Sequence, residues 1–187
     1  MRKSIPVIVI NGAPGVGKST LAHALWKKLD IRHSAGSQTI LHTHRALFPR
    51  NKNNLPVHSL PASTSTEQVR RFLQRQARYI APAVNFVIEK NSLQGIPFIL
   101  EGIHLFPQYV TKKVPTLFIT IAAPPKRKHL LWLLHRNIVH PTIFSHRLAA
   151  TMNRIYLKEA QTAGTMIIRD SNLRKRVRAV ERALARG

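Results

Sequence analysis

Residues Gly12-Ala13-Pro14-Gly15-Val16-Gly17-Lys18-Ser19 match the pattern G-x-x-x-x-G-K-[ST] at every position. No other feature of the chain restricts its fold as strongly, because this pattern needs one setting, a turn between a buried strand and a helix. Both flanks are present. Ile5 to Ile10 is an unbroken apolar, β-branched run, as in strands covered on both faces. Lys18 to Leu29 puts Leu21, Ala22, Leu25 and Leu29 on one helical face. The glycines allow successive backbone N–H groups to converge on phosphate oxygens, and the helix adds the positive end of its dipole. Gly12 to Thr20 is therefore expected to cradle the phosphates of ATP or GTP. Lys18 suits the β and γ phosphates, and Ser19 suits a magnesium ion.

The remaining chain keeps alternating between strand and helix patterns. Thr39 to Leu41 is expected as a short second strand, and Pro49 to Thr66, rich in Pro, Asn, Ser and Thr, as a long mobile loop. Ser65 and Gln68 form a capping-box signature, predicting a long helix that is open to a break at Pro82 and ends near Leu93 before Gly95. Pro97 to Leu100 reads as the third strand, ending at Glu101-Gly102. Thr116 to Ala122 reads as the fourth, closed by Pro124-Pro125. A basic segment, Lys126 to Arg147, follows. Helix is expected again from about Thr142 to Ala163, a fifth strand at Thr165 to Ile168, and a basic helix capped by Ser171. The pattern is α/β with a parallel sheet in one domain over 1–187. Glu101, an acid at the end of an apolar strand, stands where magnesium or its water is held, or else caps the strand end.

Charge is the anomaly. Lys plus Arg number 30 against 7 Asp plus Glu, a formal +23. No acid lies between Asp30 and Glu67, or between Glu101 and Glu159. An excess of one sign on this scale repels itself unless an anion neutralises it, which points to a large polyanionic partner, most simply RNA. The tail Arg174-Lys175-Arg176-Val177-Arg178, with Arg182 and Arg186, is either a solvated helix face or a phosphate contact. With no cysteine, disulfides, thiolate zinc sites and cysteine nucleophiles are excluded. No apolar run is long enough to span a bilayer. An intracellular protein of the cytoplasm or mitochondrial matrix is expected.

Gly12 to Thr20, taken with Leu100-Glu101-Gly102-Ile103-His104-Leu105-Phe106-Pro107, resembles the 2-phosphoglycerate kinase family. Arg75 to Pro107 also looks like that family. Arg147 to Ala160, with Arg154, Tyr156 and Ala160, is a looser match. The resemblance implies a P-loop NTPase fold like that of nucleoside-monophosphate kinases: a parallel five-stranded sheet in the order 2-3-1-4-5, flanked by helices, with a helical lid at about 124–147. It makes Arg127, Arg136 and Arg147 candidates for stabilising transition-state charge.

The departures concern the acceptor side. The family typically carries a Thr-Asp pair after strand two, and the corresponding place is read here as His42-Thr43-His44-Arg45, with His44 in the aspartate position. A neutral imidazole can act as a base near pH 7 but does not hold magnesium as a carboxylate does. Arg45 is a displaced substitute for the family's arginine. His42 and His44, without acids or cysteines nearby, make a poor metal pair. His129, His135, His140 and His146 are expected on the lid surface or against a polyanion, and Trp26 and Trp132 in the core. Two readings are open. One is a magnesium-dependent phosphotransferase in which Lys18, Ser19, Glu101, His44 and lid arginines act on a hydroxyl of a phosphorylated metabolite or nucleic-acid end. The other is a kinase-derived, RNA-binding component of a ribonucleoprotein such as a mitochondrial ribosome.

Overall fold

The computed structural model describes residues 7–49, 55–61, 63–139 and 145–186, the side chains of 136–139 excepted. Five parallel strands form one sheet in the order β2-β3-β1-β4-β5: β1 Val7–Asn11, β2 His33–Gly36, β3 Phe98–Gly102, β4 Thr116–Ile121 and β5 Met166–Ile168. This is the order the resemblance implies. The helices are α1 Lys18–Leu29, α2 Ser37–Leu47, α3 Thr66–Leu93, α4 Lys126–Val139, α5 His146–Thr162 and α6 Leu173–Arg186. Single-turn 3₁₀ segments occur at Val57–Ser59 and Pro107–Tyr109.

All five residues of β1 are buried, and the strand's two-residue period distributes them between two cores. Ile8 and Ile10 join Leu21, Leu25, Met152 and Val180, so α1, α5 and α6 cover one face. Val7 and Val9 join Leu41, Ile80, Val84 and Ile88 from α2 and α3 on the other. A strand buried on both sides cannot alternate apolar with polar, which is why β1 reads as a continuous apolar run. Strand order reverses beside β1, the usual place for a ligand crevice in such sheets.

The second strand is not at Thr39–Leu41. That stretch lies inside α2, and β2 is His-Ser-Ala-Gly at 33–36. This strand has no β-branched or large apolar residue to announce it, and it is held by backbone pairing from His33↔Phe98 to Gly36↔Glu101. As an edge strand, exposed or half-buried throughout, it needs little side-chain burial. The capping box forms as expected: Ser65 Oγ accepts from the Gln68 N–H, and Gln68 Oε1 from the Ser65 N–H. Helix α3 runs unbroken through Pro82 to Leu93. Within the expected loop 49–66, residues 50–54 and 62 lie outside the described residues, while Val57 is buried in the core. The cap of α6 is Asn172, whose Oδ1 accepts from Lys175 N–H; Ser171 instead accepts a hydrogen bond from Lys128. Helix α5 starts after its cap Ser145, and the expected start at Thr142 lies outside the described residues. No described helix is long and apolar enough to cross a membrane.

Candidate nucleotide site

The loop between β1 and α1 has the shape its sequence demands. Gly15 and Gly17 take φ values of +73° and +86°, where a side chain is strained. Gly17 caps α1 without any side-chain hydrogen bond, so the first N–H groups of the helix are left for an anion.

Three side chains hold the loop's carbonyl oxygens. Lys18 Nζ donates to Ala13 O at 2.9 Å. His129 Nε2 lies 2.9 Å from Pro14 O. Arg176 Nη1 donates to Val16 O at 2.7 Å. A carbonyl can only accept, so the His129 contact places the proton on Nε2. Turning these carbonyls toward protein donors leaves the intervening N–H groups free to face the crevice. Lys18 is buried against its own loop, and its ammonium carries three donors in all.

His129 and Arg176 were not legible as site residues. His129, expected on the surface, is 2% exposed, because α4 lies across the loop with His129 over Pro14 and Leu133 against Gly15. Burial lowers its imidazole below the usual range. Arg176, expected among the tail's surface cations, is also 2% exposed; its guanidinium sits over the Trp132 ring at 5.7 Å. Lys128 approaches the same ring at 5.2 Å. Trp132, half-buried, lines with Gly15, Lys18, Ser171 and Arg176 a cavity of about 500 Å³ opening beside the phosphate loop. Trp26, expected in the core, is 39% exposed. A larger cavity of about 770 Å³, near Arg70 and Glu159, touches no residue of the loop.

Ser19 Oγ donates to Glu101 Oε1 at 2.9 Å, bringing together the two residues singled out for magnesium. Among the described residues no group of three or more His, Asp or Glu could hold a metal alone. A hydroxyl and a carboxylate beside a phosphate cradle nevertheless fit a hard cation that takes its remaining ligands from phosphate and water. Behind them, Asn11 is fully buried: its amide donates to Leu105 O at 2.8 Å and accepts from Thr120 Oγ1 at 2.6 Å. Tyr156 donates to Ile103 O, and burial pushes its phenol up. These bonds fix the ends of β1, β3 and β4 around the loop.

The acceptor side is built by α2 and the chain after β3. Ser37 and Gln38, not His42 to His44, directly follow the second strand. Ser37 Oγ accepts the backbone N–H of His104 at 3.4 Å and lies 3.3 Å from its Nδ1. His104 is buried, and its imidazole is lowered to about 3, by burial first and then by the positive charges of Arg45, Lys18 and His42. It is neutral at physiological pH. His44 sits later in α2, its ring edge-on to Tyr79 at 5.1 Å. His44 Nδ1, Tyr79 Oη and Arg45 Nε are buried without hydrogen-bond partners. His42 and His44, two residues apart on a helix, face different ways, which argues against a metal pair. Arg127 is exposed in the first turn of α4, Arg147 is exposed in α5, and the Arg136 side chain and His140 lie outside the described residues.

No protein-family model matches the chain. It is 26% identical to a 2-phosphoglycerate kinase of Thermococcus kodakarensis over 132 residues, 67% of this chain and 46% of that one. It is 29% identical to one of Pyrococcus furiosus over 134 residues, 67% of this chain and 44% of that one. The matched region thus spans less than half of these relatives. Among solved structures, a shikimate kinase from Acinetobacter baumannii in complex with shikimate superposes with a TM-score of 0.57 at 11% identity, covering 97% of this chain and 94% of that one. A gluconokinase from Sinorhizobium meliloti gives 0.53 at 13%, covering 99% and 94%. The chain is a divergent P-loop protein with the small-molecule-kinase fold, and over two thirds of its length it resembles the 2-phosphoglycerate kinases.

Proposed function

We propose that the protein transfers the γ-phosphoryl group of ATP or GTP to a hydroxyl of a small anionic acceptor. The reading rests on one observation, the complete phosphate loop set against the Ser19–Glu101 pair at the carboxyl ends of β1 and β3. The kinase names of the relatives support it. In this reaction the acceptor oxygen bonds to phosphorus as the bridge to the β-phosphate breaks. The nucleoside diphosphate departs, and the hydroxyl proton passes to a base. Lys18 neutralises the β and γ oxygens. Ser19 and Glu101 would hold magnesium, Glu101 through water, and that ion would supply further charge neutralisation when bound. Glu101 or His44 orients the acceptor and takes its proton. Arg127 and Arg136 are the lid residues assigned to charge stabilisation. The cavity under Trp132 and Arg176 is assigned to the nucleoside.

The cationic Lys18 and Arg45 beside His104 favour an acidic acceptor, either a phosphorylated metabolite or a nucleic-acid end. Most of the rate would come from positioning and electrostatics. Lys18→Ala removes the main charge partner of the phosphates and is expected to lower nucleotide affinity at least about tenfold, the cost of roughly one charge-assisted hydrogen bond. Calorimetric titration with MgATP and MgGTP measures this, and equal affinities would refute the reading.

A further inference from the structure

The tail cations do not act as a block. Arg176 turns inward to the phosphate loop, and Lys175 lies 3.6 Å from Asp170. Arg174, Arg178, Arg182 and Arg186 remain, spaced four residues apart along α6, and all four are exposed. Consecutive members are surface neighbours rising about 6 Å per step. Like charges at this spacing destabilise a helix, so the stripe is locally unfavourable as it stands.

Two other elements extend it. Lys128 Nζ donates to Ser171 Oγ at 3.0 Å, which seats the exposed Lys126-Arg127-Lys128 turn of α4 beside the start of α6. On the other side Lys28 lies 3.9 Å from Glu181, which joins the exposed Lys27 and Lys28 of α1 to the middle of α6. With Lys175, ten exposed cations drawn from three separate segments thus share one flank. The acids there, Asp170 and Glu181, each already face a lysine.

We propose that this flank binds the phosphate backbone of RNA, with little sequence preference. A triphosphate needs only a few cations, and it already has the loop. A row of arginines more than three helical turns long matches a polymer instead. An anionic membrane is the competing partner, since Leu130, Leu131 and Leu134 of α4 are exposed. The arginine stripe argues against it. The apolar side of α6, with Val177, Val180 and Leu184, is packed on the protein core, so this helix has no apolar face to lay into lipid.

The test uses the full chain with two unrelated 20-nucleotide RNAs at several salt concentrations, and, in parallel, vesicles of phosphatidylcholine with phosphatidylglycerol. Both RNAs should bind similarly, with affinity falling steeply as salt rises. In Arg174→Gln/Arg178→Gln/Arg182→Gln the slope of log affinity against log salt should shrink by about 2, at about 0.7 for each phosphate no longer neutralised. Far-ultraviolet circular dichroism and MgATP binding by the variant separate a lost surface from a lost fold. The wild-type titration needs no variant. Absence of RNA binding at low salt overturns the proposal, as does a slope the folded variant leaves unchanged, or binding to vesicles without binding to RNA. Failure of ATP binding would sink the phosphotransfer reading and leave this one standing.

Discussion

His104 shows how a residue inside a family-like string is tuned by what surrounds it. Its imidazole is lowered to about 3 because it is enclosed and faces Arg45, Lys18 and His42. In the unfolded chain it would titrate near 6.5. The unfolded state therefore binds a proton the folded state refuses. Stability contributed this way is fully present above about pH 6.5 and is lost as pH falls toward 3, by up to about 1.4 kcal/mol per pH unit. Burial of His129 acts in the same direction. Urea unfolding followed from pH 7.5 to 4.5 should show the loss, and His104→Gln should flatten it while lowering stability at pH 7.5. Parallel curves for the two proteins would contradict the assignment. Lys18 and Ser19 stood out through the spacing of the phosphate-loop pattern and Glu101 through its place at the end of an apolar strand, and the structure brings Ser19 and Glu101 within 2.9 Å. Arg176 and His129 did not stand out, because their roles depend on partners 160 and 115 residues away, and a basic run looks alike whether it faces water or a carbonyl.

Among the elements, those with strong local signals were legible: the apolar β1, the capping box of α3 and the amphipathic α1. β2 was not, since four small or polar residues gain their conformation from pairing with β3. Ser37 and Gln38, which directly follow β2, carry no signal of their own in the sequence, whereas His44 lies further along the same helix α2. Helix α4 has a second constraint, close packing on the loop it covers. A Cβ built on Gly15 would lie 2.8 Å from Leu133 Cδ2, whereas one on Gly164, of similar φ, meets nothing within 4 Å. Both Gly→Ala changes incur left-handed strain of about 1–2 kcal/mol. Gly15→Ala should cost more, by an amount reflecting displacement of α4, and it should also weaken nucleotide binding. Thermal melts of the two variants side by side check the comparison, with equal losses counting against tight packing of α4 on the loop.

For the whole molecule, sequence likeness and acceptor chemistry point in different directions. The chain is similar in sequence to 2-phosphoglycerate kinases, yet its α2 carries no acid at all. We expect 2-phosphoglycerate to be a poor acceptor, turned over well below the roughly 1–100 per second usual for kinases. A coupled assay of ADP release over a range of 2-phosphoglycerate concentrations decides it, and ordinary turnover would show that the missing acid is dispensable. Net charge was visible in composition, but its sorting onto one flank was not, because α1, α4 and α6 meet only in three dimensions. The hydrogen bond from Arg176 to Val16 O has a consequence for biosynthesis. The phosphate loop and one of its three clasps are 160 residues apart in sequence. A growing polypeptide can form the Lys18 clasp early, but the Arg176 clasp waits until α6 has left the ribosome. Val16 O is thus braced by Arg176 only once the 160-residue separation between them has been made, whereas the Lys18 clasp is local to the loop itself.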